Sequence, residues 1–317
     1  MSSPVNASLP PAIFLMGPTA SGKTAATIAL CQHFPVEIIS VDSALVYRDM
    51  DIGTAKPDAE TLRQAPHHLI DLISPLEQYS AAQFARDALA LMHKATHQGR
   101  IPVLVGGTML YFNALQHGLS DLPEADATIR AQIEAEANTV GWPAMHAQLA
   151  SIDPTVAAKI HTTDSQRIER ALEVYRISGK PMSVLRAQSQ KVSLPFNILK
   201  LALMPSDRSV LHQRIAERFQ LMLKQGFVDE VKKLLIDYPQ LNMDTPSMRC
   251  VGYRQVLQYL HGDIDLPTLG EHGVYATRQL AKRQLTWLRG MDYVHVLDCL
   301  QPDWVTRALA LIDHHQK

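Results

Sequence analysis

The chain has 317 residues, enough for one large domain or two modest ones. Hydrophobic residues make up 46% and charged residues 19%, proportions typical of a soluble globular enzyme. The formal net charge is −1, so the chain as a whole is not a basic nucleic-acid binder. Any surface for RNA or DNA must therefore be a local patch of positive charge.

The cysteines and the first residues of the chain predict a cytoplasmic location. Cys31, Cys250 and Cys299 lie far apart and follow no metal-binding spacing, as expected of reduced thiols in a cytosolic protein. Residues 1–11 contain no basic residue and no long apolar stretch. We therefore expect neither a signal peptide nor a membrane anchor.

The first third of the chain alternates predicted strands and helices. Strands are predicted at residues 12–16, 37–41 and 102–105, and helices at residues 22–33 and 81–98. The third strand is continuously apolar, which is typical of a parallel strand covered on both faces. This pattern predicts an α/β fold with a doubly wound parallel sheet and with ligands at the carboxyl ends of its strands.

A phosphate-binding loop lies between the first strand and the first helix. It consists of Gly17, Pro18, Thr19, Ala20, Ser21, Gly22, Lys23 and Thr24, a complete G-x-x-x-x-G-K-[ST] motif. Loop N–H groups and the helix N-terminus point at one anion. Lys23 is expected to reach the outer phosphate and Thr24 to hold Mg²⁺. The motif indicates a phosphate or diphosphate and leaves open which molecule carries it.

Candidate catalytic residues follow the second and third strands. Asp42 is either a general base or metal-linked carboxylate, or a residue that caps a turn. The third strand runs into Gly106, Gly107 and Thr108 and lacks the acidic residue that binds Mg²⁺ in nucleotide-hydrolysing proteins, which argues against ATP hydrolysis. Two successive glycines favour close approach of another molecule to the backbone, whereas a tight turn needs at most one.

A helical block interrupts the α/β pattern at residues 121–193. A capping box is predicted at Thr163 and Gln166, and Gly179 is predicted to end the helix that follows. A buried strand resumes at residues 198–204. We therefore expect a helical insertion, residues 121–193, in a core made of residues 1–120 and 194–317.

The remainder of the core contributes further helices and a basic segment. Helices are predicted at residues 207–225 and 228–238 and a last strand at 293–298. Residues 272–291 contain no Asp or Glu but include four cations and two aromatic residues: Arg278, Lys282, Arg283, Arg289, Tyr275 and Trp287. This basic helix is either a surface for single-stranded nucleic acid or a solvated face with Trp287 in the core.

Together these segments resemble the bacterial tRNA dimethylallyltransferase family. The resemblance covers nearly the whole chain and is carried by residues 17–24, 40–57, 67–72, 102–111, 166–175, 249–255 and 276–289. The block around Asp42 is far more specific than the phosphate loop. Leu257 stands where a tryptophan is expected in the family, which indicates a change in packing.

The resemblance implies a reaction and its participants. The family transfers a dimethylallyl group from dimethylallyl diphosphate to N6 of the adenine on the 3′ side of the anticodon, in tRNAs that read codons beginning with U, and releases diphosphate. A loop that holds diphosphate rather than ATP accounts for the missing acidic residue. The resemblance implies Asp42, Thr108 and Lys23 as catalytic residues, Mg²⁺ on Thr24, and Arg218 with Arg214 as further diphosphate ligands.

The resemblance also implies an RNA surface on both predicted domains, with the helical insertion gripping the anticodon loop. The implied tRNA contacts are Asp42, Ser43, Ala44, Leu45, Thr108, Arg130, Gln166, Arg167, Ile168, Glu169, Arg170, Arg249, Cys250, Val251, Gly252, Tyr253, Arg254, Lys282, Arg283, Gln284, Leu285, Thr286, Trp287, Leu288 and Arg289. No membrane partner is expected, and we expect a monomer.

Two other functions fit part of the sequence. A P-loop kinase of a small molecule or nucleotide also needs residues 17–24, and Asp42 suits its acceptor hydroxyl, but it does not predict the basic helix. An RNA-binding protein that uses nucleotide as a switch predicts no turnover.

Overall fold

The structure is a computed structural model that describes residues 9–118, 122–188 and 193–316. It divides into two compact units, one of residues Met1–Gln116 with Leu194–Lys317 and one of residues His117–Ser193. The predicted join between residues 120 and 121 lies outside the described residues. The larger unit contains all the strands described below, and the smaller unit is helical.

The larger unit is built on a parallel β-sheet. Its strands are β1 Pro11–Met16, β2 Val36–Val41, β3 His67–His68, β4 Ile101–Gly106, β5 Asn197–Met204 and β6 His295–Asp298. In the described residues these form one six-stranded sheet in the order β3-β2-β4-β1-β5-β6, and every neighbouring pair is parallel. The predicted α/β fold is confirmed. Only β3 was missed, because two residues carry no periodicity.

Helices cover the sheet and make up the smaller unit. They are α1 Lys23–His33, α2 Ala59–Gln64, α3 Ala81–His97, α4 Met109–His117, α5 Ala127–Val140, α6 Trp142–Ile152, α7 Pro154–Ala157, α8 Ser165–Ser178, α9 Met182–Gln188, α10 Arg208–Lys224, α11 Phe227–Asp237, α12 Tyr253–Leu260, α13 Leu266–Arg289 and α14 Trp304–Gln316. Among the residues described, none of these helices has the length and apolar character needed to cross a bilayer.

The central strands are buried on both faces, which fixes the positions of their carboxyl ends. In β1, Phe14 and Met16 point into one apolar cluster with Phe84 and Phe112 of α3 and α4. Ile13 of the same strand belongs to a second cluster on the other face, which α1 and α14 cover. Alternate residues of a strand point to opposite faces, so both layers of helices hold the same strand.

The long loop after β2 is anchored by one carboxylate. Glu230 of α11 accepts hydrogen bonds from the backbone N–H groups of Asp51 (3.0 Å), Ile52 (2.6 Å) and Gly53 (3.2 Å). The hydroxyl of Tyr253 donates to the same carboxylate at 2.6 Å. A Cβ on Gly53 would lie 2.1 Å from the ring of Phe227, so the loop requires glycine there. This packing explains why glycine is required at position 53, within the segment of residues 40–57 that carries the family resemblance.

The smaller unit contains α5–α9 around an apolar core that includes Ile133, Leu149 and Ile168. The capping box predicted at Thr163 and Gln166 is wrong. Asp164, not Thr163, caps α8 by accepting the N–H of Arg167 at 3.3 Å. The hydroxyl of Thr163 is bonded instead to Nδ1 of His161 at 2.9 Å. The predicted end of the helix is confirmed, because Gly179 caps it at φ 69°.

Candidate active site

A cavity of about 1140 Å³ opens in the larger unit at the carboxyl ends of β1, β2 and β4. The loops after these strands bring Lys23, Asp42 and Thr108 to its wall. Helix α10 adds Arg218, and α13 adds Trp287. The structure therefore assembles in one cavity the three residues predicted as catalytic, as expected for an open α/β sheet.

The phosphate loop presents the start of α1 to this cavity. Gly22 precedes α1 at φ 89° and supplies no side-chain cap, so the N-terminus of the helix favours an anion. The left-handed backbone at Gly22 is one that glycine adopts without strain. Nζ of Lys23 donates to the carbonyl oxygens of Gly17 (3.0 Å) and Pro18 (2.7 Å), which holds the ammonium group over the loop.

Positive charge is concentrated beside the loop. Burial and, to a smaller extent, the neighbouring charge of Arg218 lower the pKa of Lys23 to about 8, while the charge of Asp42 opposes both effects. Burial also lowers the pKa of Arg218, and Asp42 again opposes it. Nη1 of Arg218 lies 3.4 Å from the hydroxyl of Thr19 in the phosphate loop. Two poorly solvated cations at one loop favour a ligand with several negative charges.

Asp42 combines the two roles that its sequence position left open. Its Oδ1 accepts the N–H of Ala44 at 2.8 Å and that of Leu45 at 3.4 Å, which is a turn-capping arrangement. Within the described ranges, no residue donates a hydrogen bond to Oδ2 of Asp42. The turn therefore orients the carboxylate and leaves one oxygen for a ligand in the cavity.

Thr108 fixes the loop that carries Asp42. Its N–H donates to the carbonyl oxygen of Val41 at 3.2 Å, and its Oγ1 accepts the N–H of Ser43 at 3.1 Å. A Cβ on Gly106 would lie 2.0 Å from the carbonyl oxygen of Val41. The expectation that the glycine pair admits another molecule is corrected for Gly106, because the strand next to it already fills that space.

The predicted contacts in α13 separate into an exposed face and a buried face. The exposed members are Lys282, Arg283, Thr286, Trp287 and Arg289, and the buried ones are Gln284, Leu285 and Leu288. Trp287 is 45% exposed and lines the cavity, so the alternative that placed it in the core is wrong. Exposed cations and an aromatic ring on one face suit single-stranded nucleic acid.

The predicted contacts before and at the start of α12 are likewise partly exposed and partly buried. The side chains of Arg249 and Arg254 are exposed, whereas Tyr253 is fully buried and bonded to Glu230. Cys250 and Val251 line the cavity. Burial raises the pKa of the Cys250 thiol to about 12, with Asp42 adding to the rise, so this thiol stays neutral and acts as an apolar wall. Gly252 is buried at φ 95°.

In the smaller unit, two predicted RNA contacts are held by a buried acid. Glu173 has no exposed surface, and it accepts hydrogen bonds from Arg130 at 2.9 Å and Arg170 at 2.5 Å. Burial acts to raise the pKa of Glu173, but the hydrogen bonds from the two arginines outweigh it and the pKa is lowered. Such paired cations are oriented as well as neutralised.

The remaining predicted contacts of this unit have different surroundings. Gln166 and Arg167 are exposed, Glu169 is half-buried, and Ile168 is part of the apolar core. The side chain of Ile168 therefore packs inside the unit.

The sequence did not indicate two residues that line the cavity beside the phosphate loop. Cys299 follows β6, and Trp304 begins α14. The ring of Trp304 lies 3.6 Å from where a Cβ on Gly22 would be. Both residues reach the loop because β6 pairs with β5, and no local pattern in the sequence predicts that pairing.

The possible metal ligands at the cavity suit an ion that is bound jointly by the protein and by a substrate. Among the residues that the structure describes, no group of three or more His, Cys, Asp or Glu side chains is placed to hold an ion. Thr24 is exposed at the start of α1 and lines the cavity. Mg²⁺ keeps several waters and binds with substrate phosphates, so one protein hydroxyl beside a phosphate site fits it.

Fold and site together define an α/β protein with a G-x-x-x-x-G-K-[ST] loop at the carboxyl end of β1 and an exposed basic face of α13 beside the same cavity. A family model described as IPP transferase matches residues 45–291. The chain belongs to the IPP transferase family. A protein of Methylobacillus flagellatus named tRNA dimethylallyltransferase is 63% identical over 93% of this chain and 94% of its own.

Solved structures agree with this assignment. The full-length tRNA isopentenylpyrophosphate transferase of Bacillus halodurans has a TM-score of 0.71 and 36% identity, covering 96% of each chain. A eukaryotic dimethylallyltransferase, in crystallographic snapshots of its action on tRNA, has a TM-score of 0.81 and 27% identity. That match covers 96% of this chain and 79% of the eukaryotic one.

The pKa of Lys23 predicts how binding of a diphosphate depends on pH. Above about pH 8, the free protein loses the Lys23 proton, and an anion then binds only with proton uptake. The affinity of the cavity for an alkyl diphosphate is expected to stay constant up to that pH and to fall by up to about tenfold per pH unit beyond it. Calorimetry without tRNA measures this. Lys23→Ala, the control, should bind weakly with a flat profile; a flat profile for the unaltered protein contradicts the low pKa.

Proposed function

We propose that the protein transfers a dimethylallyl group from dimethylallyl diphosphate to N6 of the adenine on the 3′ side of the anticodon, in tRNAs that read codons beginning with U. The observation that carries the proposal is the cavity itself. Lys23 of the phosphate loop, Asp42 with one carboxylate oxygen left for a ligand, and exposed Trp287 all line it. Membership of the IPP transferase family supports the same reaction.

The phosphate loop stabilises the leaving group. As the bond between the allylic carbon and the diphosphate oxygen breaks, negative charge grows on diphosphate. The loop N–H groups, Lys23 and Arg218 are placed to neutralise that charge in a poorly solvated site, where such interactions are strong. Mg²⁺, which Thr24 would hold together with the diphosphate, supplies further charge stabilisation when bound.

Asp42 accepts the proton that the adenine loses. The exocyclic amine is a weak nucleophile because its lone pair is delocalised into the ring, so the new N6–C bond requires loss of an N6 proton. Oδ2 of Asp42 takes this proton as a general base, while Oδ1 remains bonded to Ala44. Thr108, bonded to Ser43, keeps the carboxylate on the wall of the cavity.

The exposed face of α13 receives the RNA. An adenine in a stacked loop cannot reach the cavity, so it must be extruded from its neighbours. Arg283 and Trp287 both line the cavity and are exposed, which suits backbone phosphates and an unstacked base. In the smaller unit, exposed Gln166 and Arg167 are proposed as contacts to the anticodon loop.

A P-loop kinase is the less favoured function. β4 ends at Gly106 and is followed by Gly107 and Thr108. No acidic residue is therefore available there for the Mg²⁺ of a nucleoside triphosphate. A kinase also leaves the basic face of α13 without a purpose. We further propose a cytoplasmic location, because the three cysteines are free thiols, as is usual in the reducing cytosol.

The choice of donor substrate, dimethylallyl diphosphate or ATP, distinguishes prenyl transfer from phosphoryl transfer. Unmodified tRNA and Mg²⁺ are incubated with the protein and either dimethylallyl diphosphate or ATP, and the nucleosides are analysed by mass spectrometry. Prenylated adenosine is expected only with dimethylallyl diphosphate. Phosphoryl transfer from ATP, or no product with either donor, contradicts the proposed function.

Asp42→Asn tests the general base. The amide keeps the size of the carboxylate and an oxygen for Ala44, but it cannot take the N6 proton. We expect kcat to fall by at least about 10²-fold with little change in tRNA affinity. Asp263→Asn, at an exposed position, is the matched control and should leave kcat unaltered. Normal turnover by Asp42→Asn would exclude Asp42 as the base.

The cations of α13 are tested through the salt dependence of tRNA binding. Arg283→Ala and Arg289→Ala each remove one expected phosphate contact, so each should weaken binding and flatten the slope of log K against log salt concentration by about one unit. Binding isotherms at several salt concentrations provide the slopes. Arg63→Ala, on exposed α2, should have no effect. Slopes equal to that of the unaltered protein mean that these arginines do not contact RNA.

A further inference from the structure

Gln284 is a buried polar residue on the helix that carries the proposed RNA surface. Its side chain is only 9% exposed, although Arg283 beside it and Trp287 one turn later are exposed. Its Oε1 accepts the backbone N–H of Thr19 at 2.9 Å. Its Nε2 donates to the carbonyl oxygen of Gly107 at 3.0 Å. Both ends of the carboxamide are therefore used inside the protein, which differs from the RNA contact expected for this residue.

The two partners of Gln284 belong to two different loops that line the cavity. Thr19 lies in the phosphate loop, and its hydroxyl is 3.4 Å from Arg218. Gly107 precedes Thr108, which is bonded to Ser43 next to Asp42. One carboxamide thus connects the phosphate loop to the loop after β4, which in turn is bonded to the loop of Asp42 through Thr108 and Ser43.

The chemistry of this bridge requires glutamine. A carboxamide presents one acceptor and one donor at the same distance from the backbone, as the N–H of Thr19 and the carbonyl of Gly107 demand. A carboxylate would set an oxygen against the Gly107 oxygen, and asparagine is shorter by one methylene group. A Cβ on Gly107 would lie 2.3 Å from Nε2 of Gln284. The second glycine of the pair is therefore explained by the bridge.

We propose that Gln284 is a positioning residue for the reaction: it sets the spacing between the phosphate loop and the loop of Asp42, and it ties both to α13. The proposal rests on the proposed function for its effect on turnover. Small displacements of reacting groups reduce rates steeply, so the bridge acts on the chemical step and on diphosphate binding. The bridge does not involve the exposed side chains of α13 that are proposed to contact RNA.

The first test removes both hydrogen bonds while keeping the size of the side chain. Gln284→Met is expected to lower kcat about tenfold to hundredfold, to weaken binding of inorganic pyrophosphate, and to leave the KM for tRNA within about twofold, because its RNA-facing neighbours remain. Gln279→Met, a glutamine of the same helix that does not line the cavity, is the matched control. It should match the unaltered protein in all three measurements.

The second test uses a side chain that regains the bridge on protonation. In Gln284→Glu, the ionised carboxylate repels both the Gly107 oxygen and the anion, so pyrophosphate binds more weakly than to Gln284→Met. The protonated acid donates its O–H to Gly107 and accepts from Thr19, as the amide does. The ratio of kcat for this variant to kcat for the unaltered protein should therefore rise as the pH falls. A residue that only fills space gives no such rescue.

The outcomes separate this inference from the proposed function. Unaltered kcat and pyrophosphate affinity in Gln284→Met would overturn the inference, as would a higher KM for tRNA with kcat unchanged, which would make Gln284 an RNA contact. A pH-independent kcat ratio for Gln284→Glu would also overturn it. Failure of the unaltered protein to prenylate tRNA would overturn the proposed function, while pyrophosphate binding by the variants still tests the bridge.

Discussion

The charge of Lys23 and Arg218 is held beside the phosphate loop at a cost that a bound anion relieves. Burial and mutual repulsion bring the pKa of Lys23 down to about 8, which means that part of the folding free energy is used to keep this cation poorly solvated. A ligand with several negative charges removes the penalty on binding. The growing charge of a leaving diphosphate gains even more, so the same arrangement favours binding and bond cleavage.

This concentration of charge depends on a sheet that is buried on both faces. Because β1 packs against helices on either side, its carboxyl end and those of β2 and β4 have fixed positions, and the loops that follow inherit them. Gly106 shows how close the contact is, since a Cβ there would lie 2.0 Å from the backbone of Val41. The candidate catalytic groups are thus placed by packing before any substrate arrives, which is what preorganisation requires.

The sequence predicted the elements with local signals and missed those that depend on distant contacts. The phosphate loop, the central strands and the end of α8 at Gly179 follow from spacing, apolar runs and cap chemistry. The N-cap of α8 was predicted one residue too early, at Thr163 instead of Asp164, because the hydroxyl of Thr163 has a competing partner in His161. Two-residue β3 has no pattern to detect.

The candidate site shows the same division. Asp42 was identified from its position after a strand, but only the structure shows that one oxygen caps a turn and the other is left for a ligand. The bridge made by Gln284 joins residues 265 positions apart, and in the sequence it is one polar residue in a basic helix. Trp304 reaches the phosphate loop through the pairing of β5 with β6, which no motif indicates.

A ternary complex tests the central claim most directly. The protein is crystallised with an unmodified anticodon stem-loop and a thiolodiphosphate analogue of the donor that resists cleavage. The account predicts diphosphate oxygens on the phosphate loop and Lys23, and Oδ2 of Asp42 about 2.6–3.2 Å from N6 of an extruded adenine. An adenine whose N6 lies away from Asp42, or a diphosphate bound outside the phosphate loop, would contradict it.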